Sequence, residues 1–458
     1  MKRAFGLVCA SAAVSAVVGF SSSRMAVRMS SENYGGPKIV VTGLGTVSSA
    51  GVGAHVMFDN LCDGKSALHR LPEWADEYPA QVGSMVSDDD FNVRDWMHPK
   101  EARRQARYTH FAIAASRMAL EDAKVDLEAV EKEKFGVLIG SGIGGIEYFE
   151  DSCVGFHEEN GGRAGLKRVS PFLIPALISN TASGIVAIDV GAEGPNFGVV
   201  SACATGTHAL GTALDFLKRG EADIMIAGGS EAALTPLCFA GFASMKAMVT
   251  SYNDDPTKAS RPFDKDRAGF VMGEGCGVLV LETEEHAKAR GAKIYCEFAG
   301  YGATCDAHHI TAPHPEGKGL SRAITQAMET GGVEAEDIGY INAHGTSTPY
   351  NDKFETMAIK SALGDHAYKT KISSTKSMMG HTLGAAGGLE AVVLAKVLET
   401  GKIPPTANLE NPDLEAGCDL DYCPGEMQQV DPKSIKAALS DNLGFGGHNA
   451  AVLFKQYA

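Results

Sequence analysis

The chain has 458 residues, 44% of them hydrophobic and 21% charged, with 53 glycines. That is the composition of a soluble globular protein with many tight turns, and it excludes a fibrous or disordered chain. A formal net charge of −15 argues against bulk nucleic-acid binding, which needs a basic face, so an acidic partner must dock on a local basic patch.

Residues 1–36 read as an address. Lys2 and Arg3 precede an uncharged stretch from Ala4 to Ser23, and a serine- and arginine-bearing segment follows Phe20 with no acid before Glu32. A signal-type apolar region followed by a transit-type segment is similar to the two-part presequence of algal plastids enclosed by extra membranes. The expected destination is the plastid stroma, with the mitochondrion as the alternative. The apolar part is alanine-rich and short for a span, so no stable membrane insertion of the mature chain is expected.

From Pro37 onward short apolar runs alternate with alanine-rich helical stretches: KIVVTGLG, YTHFAIAASRMALEDA, FGVLIGSG, NFGVVSA, THALGTALDFLKRG and ADIMIAGG. This rhythm predicts an α/β fold, and runs apolar on both faces predict strands covered by helices on both sides. An internal echo follows. SACATG leads into a small-residue helix and later into GEGCGVLVLE; SSTKSMMGH leads into GAAGGLEAVVLAKVLETG and later into FGGHNAAVLFK. Two similar halves, 37–290 and 291–458, are expected to share one site at their junction.

The segments that carry chemistry also come in chain order. VTGLGTVSSAG at 41–51 and GSGIGG at 140–145 look like dinucleotide-binding glycine patterns, but the first has Ser48 where a third glycine would fall and the second is followed by Glu147, Glu150 and Asp151. Both are read as turns where backbone passes close to backbone. PKEARRQAR at 99–107 is a local basic run. Cys203 follows the apolar run FGVVSA and precedes a helical pattern, which predicts a strand-to-helix elbow with an exposed thiol; the helix N-terminus is expected to lower the thiol pKa. His344 follows a short strand, IGYINA, and precedes GTSTP, whose Thr346 and Thr348 offer hydroxyls; His381 follows SSTKSMMG and opens another small-residue helix. No HExxH or clustered Cys/His spacing is present, so no metal is expected. The ten cysteines form no CxxC pair, and a reducing compartment fits; Cys418 and Cys423 could pair, although free cysteines are usually small core residues. A thiol and two imidazoles, backed by Lys376 and the glycine-rich LGFGGHN at 443–449, fit carbon–carbon bond formation on a thioester.

These segments, with RPFDKDRAGFVMGEG at 261–275, NAHGTSTPYND and STKSMMGHTLGAAGGLE, resemble β-ketoacyl-[acyl carrier protein] synthases over residues 38–456. The likeness is greatest to the type II condensing enzyme of dissociated fatty acid synthesis. It implies a thiolase-like five-layer αβαβα fold with two pseudo-symmetric halves, a homodimer, and decarboxylative condensation of acyl- and malonyl-[acyl carrier protein].

By position the resemblance makes Cys203 the acyl acceptor and His344 and His381 the stabilisers of charge on the malonyl thioester oxygen. The Cys203 and Phe445 N–H groups become the oxyanion hole. Lys376 would hold the histidine network in its charge state, with Glu355 and Glu390 as its partners. Thr346 and Thr348 would touch the phosphopantetheine arm, and Ile143 and Phe445 would line the acyl pocket, Phe445 gating it. The acidic carrier protein would dock through Lys100, Arg103, Arg104 and Lys246. No resident cofactor is implied, because phosphopantetheine arrives on the carrier. Leu443, Met379, His448 and Tyr350-Asn351 depart from the family pattern and bear on gating and chain length. The alternatives are a non-catalytic chain-length or carrier-binding subunit, which would lack the nucleophile, and a thiolase acting on coenzyme A thioesters, which would carry a second cysteine where this chain has Gly444 to His448.

Overall fold

The structure, a computed structural model, describes residues 35–157 and 169–457, so the expected presequence lies almost wholly outside it. The main sheet contains β1 (Ile39–Ser48), β2 (Phe135–Gly140), β3 (Ile224–Glu231), β4 (Gly275–Thr283), β5 (Cys296–Cys305), β6 (Ile338–Asn342), β7 (Lys371–Ser373), β8 (Ala437–Gly444) and β9 (His448–Lys455). Their order is β7-β6-β8-β9-β5-β1-β4-β3-β2. The joint is short: Val40 faces Glu297 and Val41 faces Cys296 across antiparallel β1 and β5. Outward from it, each half repeats two antiparallel pairings and then a parallel one, through β4, β3 and β2 on one side and β9, β8 and β6 on the other.

Six helices complete the layers: α1 (Arg107–Ala123), α2 (Thr181–Val190), α3 (Thr205–Lys218), α4 (Lys318–Gly331), α5 (Pro349–Leu363) and α6 (Ala386–Thr400). α1 and α2 cover the first half and α4 the second, with α5 packed on α4; α3 and α6 pack on each other and touch strands of both halves. This is the five-layer α/β arrangement. Every residue of α6 from Ala386 to Leu398 is buried, as a helix sandwiched between sheets requires. The fit depends on missing side chains: a Cβ at Gly388 would lie 2.1 Å from the Gly277 carbonyl oxygen, and one at Gly206 would lie 2.8 Å from the Gly388 nitrogen.

The two glycine patterns are packing devices. A Cβ at Gly45 would lie 1.9 Å from the Ala115 oxygen of α1, and Gly144, at φ 73°, sits against Leu177. One expected strand is absent. The run FGVVSA forms no ladder of its own; the chain just before it touches the edge strand, through Gly194, Pro195 and a parallel bridge between Val137 and Asn196, and Phe197 and Val200 are exposed. The apolar pattern reflects a surface left uncovered by this chain, not a buried strand. Among the described residues no helix is long and apolar enough to cross a membrane, and Cys418 and Cys423 are both free.

Candidate active site

The nucleophile turn is built on strain. Ala202, at φ 51°, bends the chain into a single 3-10 turn, Ala202–Ala204, and α3 follows directly. The second half repeats the device with Leu383, also at φ 51°, before the turn Leu383–Ala385 and α6. Its counterpart to Cys203 is Gly384, where a Cβ would lie 2.5 Å from the Gly142 nitrogen. Only one half has room for a reactive side chain.

Cys203 is 8% exposed, and burial pushes its thiol up to about 12, with Lys376 opposing and Glu231 and Glu390 reinforcing. The pKa-lowering expected from the helix N-terminus is therefore overturned: loss of hydration outweighs the dipole in a closed site. The resting nucleophile is a thiol and must lose its proton during attack.

The imidazoles of His344 and His381 stand edge to face, with ring centroids 5.2 Å apart. His344 leaves β6, and its backbone N–H donates to Glu355 Oε1 at 2.6 Å. His381 follows the short helix Lys376–Met379; its N–H donates to the Val271 carbonyl at 2.7 Å and its own carbonyl accepts from Gly273. Burial, and then the nearby Lys376 ammonium, hold both rings well below their ordinary pKa, so both are neutral.

Lys376 and Glu390 form a buried ion pair. The other Glu390 oxygen accepts from Asn442 Nδ2 at 2.8 Å and from Ser440 Oγ at 3.2 Å. Glu355 does not pair with Lys376, which corrects the role given to it from the sequence. Its two oxygens accept from the backbone N–H groups of His344 and Gly345, and Asn351 Nδ2 donates to it at 3.1 Å. Its partners are the His344 loop backbone and Asn351, not the lysine.

Cys203, His344, His381, Thr346, Thr348 and Phe445 line one cavity of about 430 Å³. The two threonine hydroxyls are 2.9 Å apart. Phe445 is half-buried, its ring centroid 6.4 Å from that of Phe242. Gly444 brings the Phe445 backbone against the nucleophile turn, since a Cβ there would lie 2.3 Å from the Ser201 oxygen and 3.4 Å from the Cys203 nitrogen. Ile143 lies off this lining, in an apolar cluster that also holds Cys203, Phe239 and Leu383. Lys246 is exposed and lines the cavity, with Tyr350 beside it. Lys100, Arg103 and Arg104 are exposed on the helix Pro99–Ala102 and the turn after it, off the cavity lining; Arg104 pairs with Glu101 at 3.0 Å and stacks 4.9 Å over Phe172.

Four groups at the site escaped sequence reasoning. Glu231, at the end of β3, accepts from Ser141 Oγ and from the N–H groups of Gly142, Ile143 and Gly384, tying the GSGIGG loop to the turn before α6. Asp441 lies against Glu355, and Asn442 and Thr207 bridge to His344. The signal for Glu231 was a lone acid closing an apolar run; the other three give none outside the fold. Among the described residues no three His, Cys, Asp or Glu are grouped to hold a metal ion.

Residues 37–287 match the beta-ketoacyl synthase N-terminal domain and residues 295–410 the beta-ketoacyl synthase C-terminal domain. The chain belongs to the beta-ketoacyl synthase family. Within that family it is 49% identical to 3-oxoacyl-[acyl-carrier-protein] synthase 2 of Synechocystis sp., over 92% of this chain and 98% of the relative. It is 47% identical to the protein of the same name from Staphylococcus aureus, with the same coverage. Solved relatives include a type II polyketide ketosynthase in complex with its acyl-carrier protein, 33% identical with a TM-score of 0.84, and a beta-ketoacyl synthase from Burkholderia phymatum, 32% identical with a TM-score of 0.82; each alignment covers 92% of this chain and all of the other.

Proposed function

We propose that this chain elongates fatty acids by condensing acyl-[acyl carrier protein] with malonyl-[acyl carrier protein], giving 3-oxoacyl-[acyl carrier protein], carbon dioxide and free carrier. The observation that carries the reading is one cavity wall holding a thiol and two neutral imidazoles backed by a buried Lys376–Glu390 pair, in a chain nearly half identical to 3-oxoacyl-[acyl-carrier-protein] synthases 2.

Cys203 Sγ attacks the acyl thioester carbon, its proton leaves with the pantetheine thiol, and the acyl group stays on sulfur. Malonyl carrier then binds. Its carbon–carboxylate bond breaks, carbon dioxide departs, and the electron pair forms an enolate on the thioester oxygen, stabilised by ring N–H groups of His344 and His381. A neutral ring suits this chemistry because it donates a hydrogen bond without placing a full charge against the carboxylate that must leave. The enolate carbon attacks the Cys203 thioester, the oxyanion rests on the N–H groups of Cys203 and Phe445, and collapse breaks the carbon–sulfur bond to release a thiolate, which takes a proton from solvent and returns to the resting thiol. Thr346 and Thr348 hold the arm, and Phe445 gates the acyl pocket, with Ile143 beyond the cavity wall. No resident cofactor takes part.

The acidic carrier protein docks through Lys246 at the mouth and through Lys100, Arg103 and Arg104. The active form is a homodimer across the uncovered face that bears Ile188, Phe197 and Val200. Residues 1–36 direct the chain to the plastid stroma.

The test is Cys203→Ala with acyl- and malonyl-carrier substrates, followed by mass. Enzyme acylation and 3-oxoacyl product should vanish while malonyl decarboxylation survives through the imidazoles. Undiminished acylation of the variant would overturn the assignment.

A further inference from the structure

We propose that Asn442, pinned by Thr207, is a positioning residue that fixes the tautomer of His344, so that the ring keeps its proton on Nε2. The inference deepens the condensing reaction and rests on that reading. Asn442 is fully buried near the end of β8. Its Nδ2 stands 3.1 Å from His344 Nδ1 and donates to Glu390 Oε2 at 2.8 Å, while its Oδ1 accepts from the Thr207 hydroxyl.

These contacts fix which way the amide faces, something its shape alone does not do. The Glu390 carboxylate, paired with Lys376, takes an N–H. The Thr207 hydroxyl satisfies the amide oxygen. Nδ2 therefore points a hydrogen at His344 Nδ1, and a neutral ring that accepts at Nδ1 carries its proton on Nε2. On a ring lining the cavity, Nε2–H is then the group left to donate to a thioester oxygen as charge develops there. The other tautomer would offer that oxygen a lone pair.

A second observation supports the contact. A Cβ at Gly387 would lie 2.1 Å from Thr207 Oγ1 and 2.8 Å from Asn442 Oδ1, so glycine keeps open the space where hydroxyl meets amide. Thr207 stands in the first turn of α3, four residues after Cys203. The helix that presents the nucleophile in one half thus sets the imidazole in the other.

The test uses the full chain with ¹⁵N-labelled histidine, His344 being assigned by loss of its signals in His344→Gln. The unaltered protein should show a protonated Nε2 and an unprotonated Nδ1 at His344. In Asn442→Asp, which puts an acceptor against Nδ1, the protonation pattern should invert and kcat for malonyl decarboxylation should fall roughly 100-fold with KM unchanged, as for loss of one oxyanion donor. Thr207→Val should give a smaller loss in the same direction, and both variants should still acylate Cys203 at close to the normal rate. The proposal fails if the unaltered ring carries its proton on Nδ1, if neither variant slows decarboxylation, or if acylation and decarboxylation fall together. If the unaltered chain made no 3-oxoacyl product, the reaction itself would be lost, and the tautomer readout would still decide this point.

Discussion

Beneath the imidazoles, two buried carboxyls meet. Burial first, and then the neighbouring Asp441 charge, push Glu355 well above the usual carboxylate range; burial pushes Asp441 up to about 6, with the hydrogen bond from Glu355 opposing. The pair therefore keeps a proton to higher pH than either carboxyl would alone, while the Glu355 oxygens brace the His344 backbone. Both folded pKa values lie above the unfolded ones, so the folded state binds more protons and stability falls as pH rises from about 4 through 6, the window of the Asp441 shift. Asp441→Asn removes this penalty. Denaturant melts should show the variant more stable at pH 8, by on the order of 3 kcal/mol at about 1.4 kcal/mol per pKa unit, with the gain shrinking toward pH 4. A variant no more stable than the parent at pH 8 would contradict the shared-proton account. The thiol, both imidazoles and Lys376 were visible in sequence because each stands in a run of small residues. Asp441 and Asn442 were not, since their neighbours come from α3, α5 and α6, far away along the chain.

At the scale of elements, the site depends on how closely α3 and α6 approach the strands. Gly388 lies on the backbone of β3 and β4, and a Cβ there would meet the Gly277 oxygen at 2.1 Å and the Gly229 nitrogen at 2.8 Å. No flexible side chain can yield, so Gly388→Ala must shift α6 and with it the Glu390 carboxylate. Overpacking of this kind costs about 1–3 kcal/mol. The variant should melt lower and lose condensing activity more than that destabilisation alone implies; an unchanged melting point would show that the helix can move freely. Apolar runs read correctly as strands at β1, β2 and β3, where helices cover them. The run FGVVSA misled because an exposed apolar surface has the same composition as a buried strand.

For the whole molecule, that uncovered surface is the feature with consequences. Ile188 is 78% exposed and Val200 54%, on segments flanking the nucleophile helix. If the proposed homodimer forms across this face, Val200→Asp should give monomers in sedimentation velocity and reduce activity, because the nucleophile turn begins at the next residue but one; a variant that associates as strongly as the parent would place the interface elsewhere. Charge makes a second prediction at this scale. On a chain of net charge −15 an acidic carrier needs the few local bases. Arg103→Glu with Arg104→Glu should raise KM for carrier-bound substrates severalfold at low salt, with the difference shrinking as salt screens it. A KM that does not move would remove this docking patch.

The sequence by itself determined the fold class, the repeated half and the family, because strand and helix periodicity and short reactive motifs are local properties of the chain. It could not determine the protonation of the site. The thiol pKa, the neutral imidazoles, the proton between Glu355 and Asp441 and the direction of the Asn442 amide depend on how much water is excluded and on which groups meet across the junction of the halves. Those quantities exist only once the two halves close around the cavity.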